Sequence, residues 1–186
     1  MTANLSAKTR ILVAAATVVG RSGAAHLTID AVANQARLSK GGVLYHFPSK
    51  RAMLEGMVQH VLDRGAERFA RYRAALEGGN NVVVRALILA EQEQDDEERA
   101  MSLAILAAAA EDPNLLDPAR EAVAGWFSDI RKETGAGSNA DQIGVLLLLA
   151  MEGLRFLGML NLLPMGPAER EQIRQRLLRI AEAGQL

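Results

Sequence analysis

The chain has 186 residues, 49% of them apolar, and contains no cysteine. This length and composition predict one globular domain, or a small domain fused to a larger one. The absence of cysteine excludes disulfides, thiol chemistry and cysteine-based zinc sites. The N-terminus lacks the basic-then-apolar pattern of a secretory signal peptide, so we expect a cytoplasmic protein.

Charge is distributed unevenly along the chain. Residues 1–51 carry seven basic side chains and one acidic side chain, a formal charge of +6, while the whole chain carries −1. The remaining residues therefore carry −7. A basic segment ahead of an acidic body fits a protein whose first part meets a polyanion. Chance fluctuation explains the charge alone equally well.

The first part of the chain reads as a series of helices with polar caps. Ser6, Thr28, Ser39 and Ser49 each precede an apolar helical pattern, as N-cap residues do. Pro48 ends the third pattern, because the residue before a proline is disfavoured in the helical region. The periodicity predicts helices at about residues 6–22, 28–37, 40–47 and 49–76.

The rest of the chain also reads as helical. Residues 78–81, Gly-Gly-Asn-Asn, break the pattern, and the acidic run Glu91–Glu98 is interpreted as a solvated face or turn. No segment alternates with period two, so we predict an all-α fold. Five further helices are predicted at about residues 82–93, 97–111, 116–134, 139–163 and 167–183.

The apolar stretch Ile143–Leu163 has a length that suits a membrane span. Glu152 and Arg155 lie in its middle, however, and a charged side chain is costly in lipid. They are three residues apart on one helix face and can pair. A helix buried at a protein–protein interface explains the segment better, and we expect no membrane association.

Residues 28–50 have the layout of a helix-turn-helix, in which the second of two short helices enters the major groove of DNA. Gly41 and Gly42 lie in the first turn of that helix, although each glycine costs roughly 1 kcal/mol in a helix interior relative to alanine. Close backbone approach to another surface is one reason to tolerate them. The alternative is a loop of surface polar residues above a core of Val43, Leu44 and Phe47.

The runs Thr28–Ala33 (TIDAVA) and Ser39–Lys50 (SKGGVLYHFPSK) resemble the DNA-binding signature of the TetR family of regulators. The resemblance covers roughly the first 55 residues, and the remainder resembles the family only in its helical pattern. It implies a three-helix DNA-binding domain over residues 1–50, about nine helices in all, and a ligand-binding and dimerisation domain over residues 51–186.

The same resemblance implies roles for individual residues. Helix caps would contact phosphates, the first turn of the second helix would face the groove, and Leu44 could reach a thymine methyl. Arg37 departs from the family, which usually has glycine or another small residue in the turn. A positive φ there would cost energy, and the side chain could add a phosphate contact. The implied DNA-binding residues are Thr28, Arg37, Ser39, Lys40, Gly41, Gly42, Leu44, Tyr45, His46 and Lys50.

For the body, the resemblance implies a homodimer through the two C-terminal helices, at about 139–163 and 167–183; an intramolecular core is the alternative. It also implies a cavity for a small, largely apolar effector, for which the seven methionines are suited. Ordinary core packing is the alternative for each candidate. The candidate ligand-binding residues are Met57, Met101, Trp126, Phe127, Met151, Glu152, Arg155 and Phe156.

The resemblance implies a DNA-binding transcriptional regulator, a repressor that a small molecule releases from operator DNA by moving the fourth helix. The sequence does not encode whether the regulator represses or activates, so activation is the alternative. No phosphate-binding glycine loop, metalloprotease motif or nucleophile elbow occurs, and the three histidines lack metal-ligand spacing, so we expect no enzyme, cofactor or metal. The alternative function is a helical small-molecule-binding or scaffold protein without sequence-specific DNA binding.

Overall fold

The structure, a computed structural model, describes residues 6–185, which are helical throughout apart from turns and loops. Two short 3-10 helices, Ala24–His26 and Pro113–Leu116, were not predicted. The predicted all-α class is confirmed. The nine α-helices of the described residues are α1 (Ala7–Ser22), α2 (Ile29–Ala36), α3 (Lys40–His46), α4 (Lys50–Ala75), α5 (Val82–Gln92), α6 (Asp96–Ala109), α7 (Asp117–Thr134), α8 (Asn139–Met159) and α9 (Pro167–Ala183).

The four predicted N-caps are confirmed. At Ser6, Thr28, Ser39 and Ser49 the side-chain oxygen accepts a hydrogen bond from the backbone N–H three residues later, at 3.0–3.1 Å. Each bond satisfies one of the donors that a helix start leaves unpaired. The starts of the first four helices are therefore encoded locally.

The chain divides into two compact units. The first unit comprises the chain up to Asp63 together with Asp95–Arg120, and the second comprises Arg64–Gln94 together with the chain from Glu121 onward. Helix α6 thus belongs to the same unit as the predicted helix-turn-helix, although some 50 residues separate them in sequence.

The core of the first unit is closed by α6. Helix α1 packs against α2 and α6, and its Ile11 and Leu12 are fully buried. Helix α6 contributes Met101, Ala104, Ile105 and Ala108 to the same cluster. The sequence places these residues at helical spacing but does not indicate which helices they contact.

The core of the second unit is built from α5, α7, α8 and α9, around buried Ile88, Ile130 and Leu148. Side chains hydrogen-bond to backbone groups at the ends of its helices. The Glu133 carboxylate accepts hydrogen bonds from the first backbone N–H groups of α5, and Asn81 donates to the carbonyl of Ala181 in α9. A carboxylate at a helix start also interacts favourably with the helix dipole.

Two expectations need correction. The acidic run was expected to be solvated throughout, but Glu98 is 1% exposed, because α6 begins at Asp96 and turns this position toward the interior. The long C-terminal apolar helix was expected to reach residue 163, but α8 ends at Met159, and Asn161 adopts a left-handed conformation with φ of 55°.

Judged by length and composition only, α8 is the one helix among residues 6–185 that is long and apolar enough to cross a membrane. A core helix of a soluble protein can satisfy the same criteria. The predicted pair in the middle of α8 forms, since the Arg155 Nη2 atom lies 2.6 Å from the Glu152 carboxylate.

Candidate nucleic-acid interface

The turn between α2 and α3 is held by backbone hydrogen bonds. Arg37 adopts the left-handed conformation, with φ 55° and ψ 48°, and the Leu38 N–H donates to the Ala33 carbonyl at 3.0 Å. This is the positive φ that the sequence left open for Arg37. A non-glycine residue meets a steric penalty there, since its Cβ approaches its own carbonyl oxygen. Leu38 packs against the core of the first unit.

Arg10 braces the same turn from α1. Its guanidinium Nη2 donates a 2.9 Å hydrogen bond to the carbonyl of Ala36, the last residue of α2. A cation at a helix C-terminus satisfies an otherwise unpaired carbonyl and complements the helix dipole. Sequence reasoning missed Arg10, because 26 residues separate the partners and no local pattern connects them.

Helix α3 has one buried face and one exposed face. Val43 is fully buried, and Phe47, directly after the helix, is 4% exposed. On the other side Tyr45 is 85% exposed and stands edge-on to the ring of the half-buried His46. Leu44 is also exposed. The buried face fixes the helix to its unit, and the exposed face presents polar-tipped rings.

The two glycines of α3 differ in their surroundings. A Cβ at Gly41 would meet nothing within 4 Å, whereas one at Gly42 would lie 3.3 Å from the Ser39 hydroxyl oxygen. That hydroxyl accepts the Gly42 N–H, so a side chain at this position would crowd the capping oxygen. Gly41 has no such intramolecular reason and leaves a bare stretch of exposed backbone.

The predicted cations at the two ends of this surface have carboxylate neighbours. Lys40 Nζ lies 3.0 Å from the Asp30 carboxylate, and both side chains are mostly exposed. Lys50 Nζ lies 3.7 Å from the Glu111 carboxylate. The sequence could have indicated Asp30 as a partner for Lys40, because it is the only acidic residue among the first 51. It could not have indicated Glu111 as a partner for Lys50, because the two residues are distant in sequence.

The structure brings the ten predicted DNA-binding residues together within the first unit, and it describes all of them as exposed or half-buried. They lie on the start of α2, the turn, α3 and the start of α4. That they contact DNA stays a prediction. The described residues contain no group of three or more histidine and acidic side chains that could hold a metal.

The candidate ligand-binding residues fall in different places. Met57 and Met101 are fully buried in the core of the first unit. Met151 is buried in the core of the second unit, where Trp126 and Phe127 are half-buried against it. The other three lie further along α8: Glu152 and Arg155, which pair with each other, and Phe156, which is exposed.

Two family models match the chain. Residues 11–57 match the model for bacterial regulatory proteins of the tetR family, and residues 81–182 match the model for the tetracyclin repressor-like C-terminal domain. The second match alone covers more than half of the chain. The search of curated proteins gave no match.

Solved structures share the fold over nearly their whole length. A putative TetR-family transcriptional regulator from Rhodococcus sp. is 25% identical with a TM-score of 0.62, covering 95% of this chain and 98% of that one. The multidrug binding protein EbrR, complexed with malachite green, is 25% identical with a TM-score of 0.56, covering 94% and 97%.

A putative transcriptional regulator from Saccharomonospora viridis, in complex with choline, is 19% identical with a TM-score of 0.66, covering 94% of each chain. At that identity the likeness concerns the fold alone. The family models provide the stronger evidence, since they match both the helix-turn-helix segment and the C-terminal helices. The chain belongs to the TetR family of bacterial transcriptional regulators.

Proposed function

We propose that this protein is a repressor that binds operator DNA as a homodimer, through α3 in the major groove, and is released by a small, largely apolar molecule. The observation that carries the proposal is the two-sided character of α3. Val43 is buried to fix the helix, while Tyr45 stands almost fully exposed beside a bare glycine backbone. A helix anchored on one side and polar on the other suits groove binding.

The DNA contacts divide by chemistry. Thr28 and Ser39, at helix starts, favour phosphates, since backbone N–H groups and the helix dipole attract anions there. Lys40 and Lys50 add charge, and Arg37 extends from the turn with its side chain exposed. Gly41, Gly42, Leu44, Tyr45 and His46 face the groove, where base edges are read. Phosphate contacts of this kind position the protein, and groove contacts specify the sequence.

The dimer interface is proposed on α8, with α9 beside it. Six of the ten exposed large apolar side chains of the described residues fall between residues 146 and 162. Leu146, Leu149 and Phe156 lie on one helical stripe with Leu160, and a Cβ at Gly153 would meet nothing within 4 Å. A contiguous exposed apolar stripe marks a protein interface. A second copy is the partner that places two α3 helices on successive grooves.

Gly153 is the small residue that permits close approach of the two copies. Gly158, the next glycine of α8, is instead covered within the chain, because a Cβ there would lie 3.3 Å from the Arg170 guanidinium. The stripe is bordered by the Glu152–Arg155 ion pair. A polar border around an apolar centre is typical of protein interfaces.

The effector is proposed to be largely apolar and to contact α7 and α8. Trp126 and Phe127 are half-buried and provide aromatic surface, and Met151 adapts to irregular shapes. Relatives with the same fold bind malachite green and choline. Met57 and Met101, in the core of the other unit, remain candidates under the same proposal.

Release from DNA requires the effector to bind the DNA-free conformation more tightly than the DNA-bound one. A coupling free energy of about 1–3 kcal/mol lowers operator affinity roughly 5–150-fold. Helix α4 is proposed to carry the coupling, because its Met53 and Met57 belong to the core of the first unit while its Phe69 packs against the core of the second.

The test is a titration of the purified protein against the DNA flanking its own gene, by fluorescence anisotropy, with random DNA of equal length for comparison. We expect tight, salt-sensitive binding to one flanking segment. Tyr45→Ala should weaken it about 10-fold or more, as loss of a groove contact does. His26→Ala, which changes an exposed ring on the 3-10 helix after α1, is the matched control.

Equal, weak binding to both DNAs would contradict sequence-specific recognition and favour the helical ligand-binding or scaffold alternative. A reporter behind the bound promoter then distinguishes repression from activation. Its expression should rise when the gene for this protein is deleted. A fall in expression would contradict the repressor assignment while leaving the DNA-binding surface intact.

A further inference from the structure

The first two residues of α4 face an acidic pair just beyond the end of α6. Lys50 Nζ lies 3.7 Å from the Glu111 carboxylate, and Arg51 Nη1 donates a 2.9 Å hydrogen bond to the Asp112 carboxylate. All four residues belong to the first unit. The pairing therefore places two carboxylates against the cations at the capped start of α4.

Arg51 is held from two sides. Its Nε donates to Glu55 at 2.7 Å, one turn along α4, and its Nη1 donates to Asp112. The hydrogen bond to Glu55, followed by the charge of Asp112, raises the pKa of Arg51 further above its usual value. The guanidinium is thus permanently charged, and its side chain is 63% exposed. An exposed, charged guanidinium beside Lys50 suits a phosphate, but a phosphate must compete there with the carboxylates that already occupy its Nε and Nη1 atoms.

The acidic pair is rigidly attached to α6. The backbone N–H groups of Glu111 and Asp112 both donate to the Ala108 carbonyl, at 3.0 and 3.1 Å. The Asp112 carboxylate also accepts the Asn114 N–H, which caps the following 3-10 helix. Ala108 itself is buried in the core of the first unit. The backbone of the acidic pair is therefore held at the C-terminal end of α6, and the Asp112 carboxylate is held there as well.

We propose that Glu111 and Asp112 form an acidic clamp that competes with DNA phosphates for Lys50 and Arg51. The inference rests on the proposed DNA contact at the start of α4 and adds Arg51 to that contact. Exposed ion pairs are individually weak, so phosphates can displace the clamp, but each displacement reduces the net gain from binding. The clamp sets the operator affinity below the value that the two cations alone would give.

The clamp also has a signature in salt dependence. A cation that stays partly paired with a carboxylate neutralises its phosphate only in part, so fewer of the counterions condensed on the DNA are released when the protein binds. For each phosphate fully neutralised, the logarithm of the binding constant falls by about 0.9 per unit of log salt. Freeing Lys50 and Arg51 should therefore steepen this slope by about one to two.

The experiment compares two variants that each remove two negative charges. Glu111→Gln with Asp112→Asn opens the clamp, and the asparagine can still cap the 3-10 helix. Asp96→Asn with Glu97→Gln changes the opposite end of α6, roughly 20 Å away along the helix axis. Operator affinity is measured by anisotropy at several salt concentrations, and thermal unfolding checks that both variants fold.

We expect the clamp variant to bind operator DNA about 3- to 10-fold more tightly at moderate salt, with the steeper slope, while the control variant changes affinity less than about 2-fold. In a Lys50→Gln, Arg51→Gln background the clamp substitutions should produce no gain. Glu111→Gln alone, which leaves the Asp112 cap untouched, should give part of the effect.

Equal gains from the two charge-removing variants would overturn the clamp, because the effect would then come from the overall field of the protein. A gain that persists without Lys50 and Arg51 would overturn it as well. These outcomes differ from failure of the proposed function, in which the unaltered protein itself shows no preference for operator over random DNA.

Discussion

The first and second units expose different kinds of surface. In the first unit α3 exposes Leu44 and the polar-tipped ring of Tyr45, with half-buried His46 beside them and cations at the starts of α3 and α4. In the second unit the exposed stripe of α8 is apolar, with Leu146 and Leu149 each more than half exposed. The first surface suits a polyanion and the second suits another apolar face.

This difference shows that the two units leave apolar residues uncovered to different extents, since six of the ten exposed large apolar side chains of the described residues fall between residues 146 and 162. The first unit uses α6, distant in sequence, to close its core over Ile11 and Leu12. The second unit leaves its most apolar helix half uncovered. Burial of apolar residues therefore forms a core in both units, and the longest exposed apolar stripe lies on α8 of the second.

The largest expected effect comes from introducing charges into the exposed apolar stripe of α8. Leu146→Glu with Leu149→Glu places charges at the centre of the proposed dimer interface, and each lost apolar anchor typically costs about 2 kcal/mol or more. We expect the dissociation constant of the dimer, measured by sedimentation equilibrium, to rise at least about 100-fold. Leu103→Glu, at a 38% exposed leucine of α6, is the control and should leave the dimer intact. An unaffected dimer in the double variant would show that copies pair elsewhere.

A second prediction addresses packing beneath the DNA-binding surface. A Cβ at Gly56 of α4 would lie 2.6 Å from the ring of Phe47, which is buried directly after α3. Gly56→Ala should destabilise the protein by about 1–3 kcal/mol, the usual cost of overpacking. Chemical denaturation measures the change. Gly65→Ala changes a glycine of the same helix where a Cβ would meet nothing within 4 Å. It is the matched control and should not destabilise the protein.

A third prediction concerns the brace of the turn. Arg10→Met removes the hydrogen bond to the Ala36 carbonyl while keeping much of the side-chain length. We expect a loss of about 1 kcal/mol in unfolding free energy, together with weaker operator binding, since the turn orients α3. Lys8→Met removes an exposed charge from the same helix and controls for charge. Equal behaviour of the two variants would mean that the brace has no role in orientation.

The smallest expected effect separates two roles of Arg37. Arg37→Gly relieves the left-handed conformation and should stabilise the protein by up to about 1 kcal/mol. If Arg37 also contacts a phosphate, the same variant binds operator DNA more weakly and with a shallower salt slope. Greater stability with unchanged DNA affinity would leave the arginine without a contact to DNA.

The first four helices of the first unit could be predicted from the sequence, because the residues that start and end them act locally. Ser6, Thr28 and Ser39 each begin a helix through a hydrogen bond that spans three residues, and Gly23 ends α1 with φ of 85°. Such caps do not depend on the rest of the fold. The resemblance to the TetR family covers this same region, and the family models confirm it.

Contacts between distant segments were not readable. The hydrogen bond of Arg10 to Ala36, the burial of Glu98 and the pairing of Lys50 with Glu111 depend on which helices pack together, and periodicity does not specify partners. In α8 the apolar pattern was clear, but only the structure separates buried Leu147 and Leu148 from exposed Leu146 and Leu149.

The most direct test of the account is a hydroxyl-radical footprint of the protein on its operator. Two copies paired through α8, each with α3 in a major groove, should protect two equivalent half-sites whose centres lie about 10 base pairs, or a multiple of that spacing, apart. A single asymmetric half-site, or uniform weak protection, would contradict the pairing of a DNA-binding first unit with a dimerising second unit.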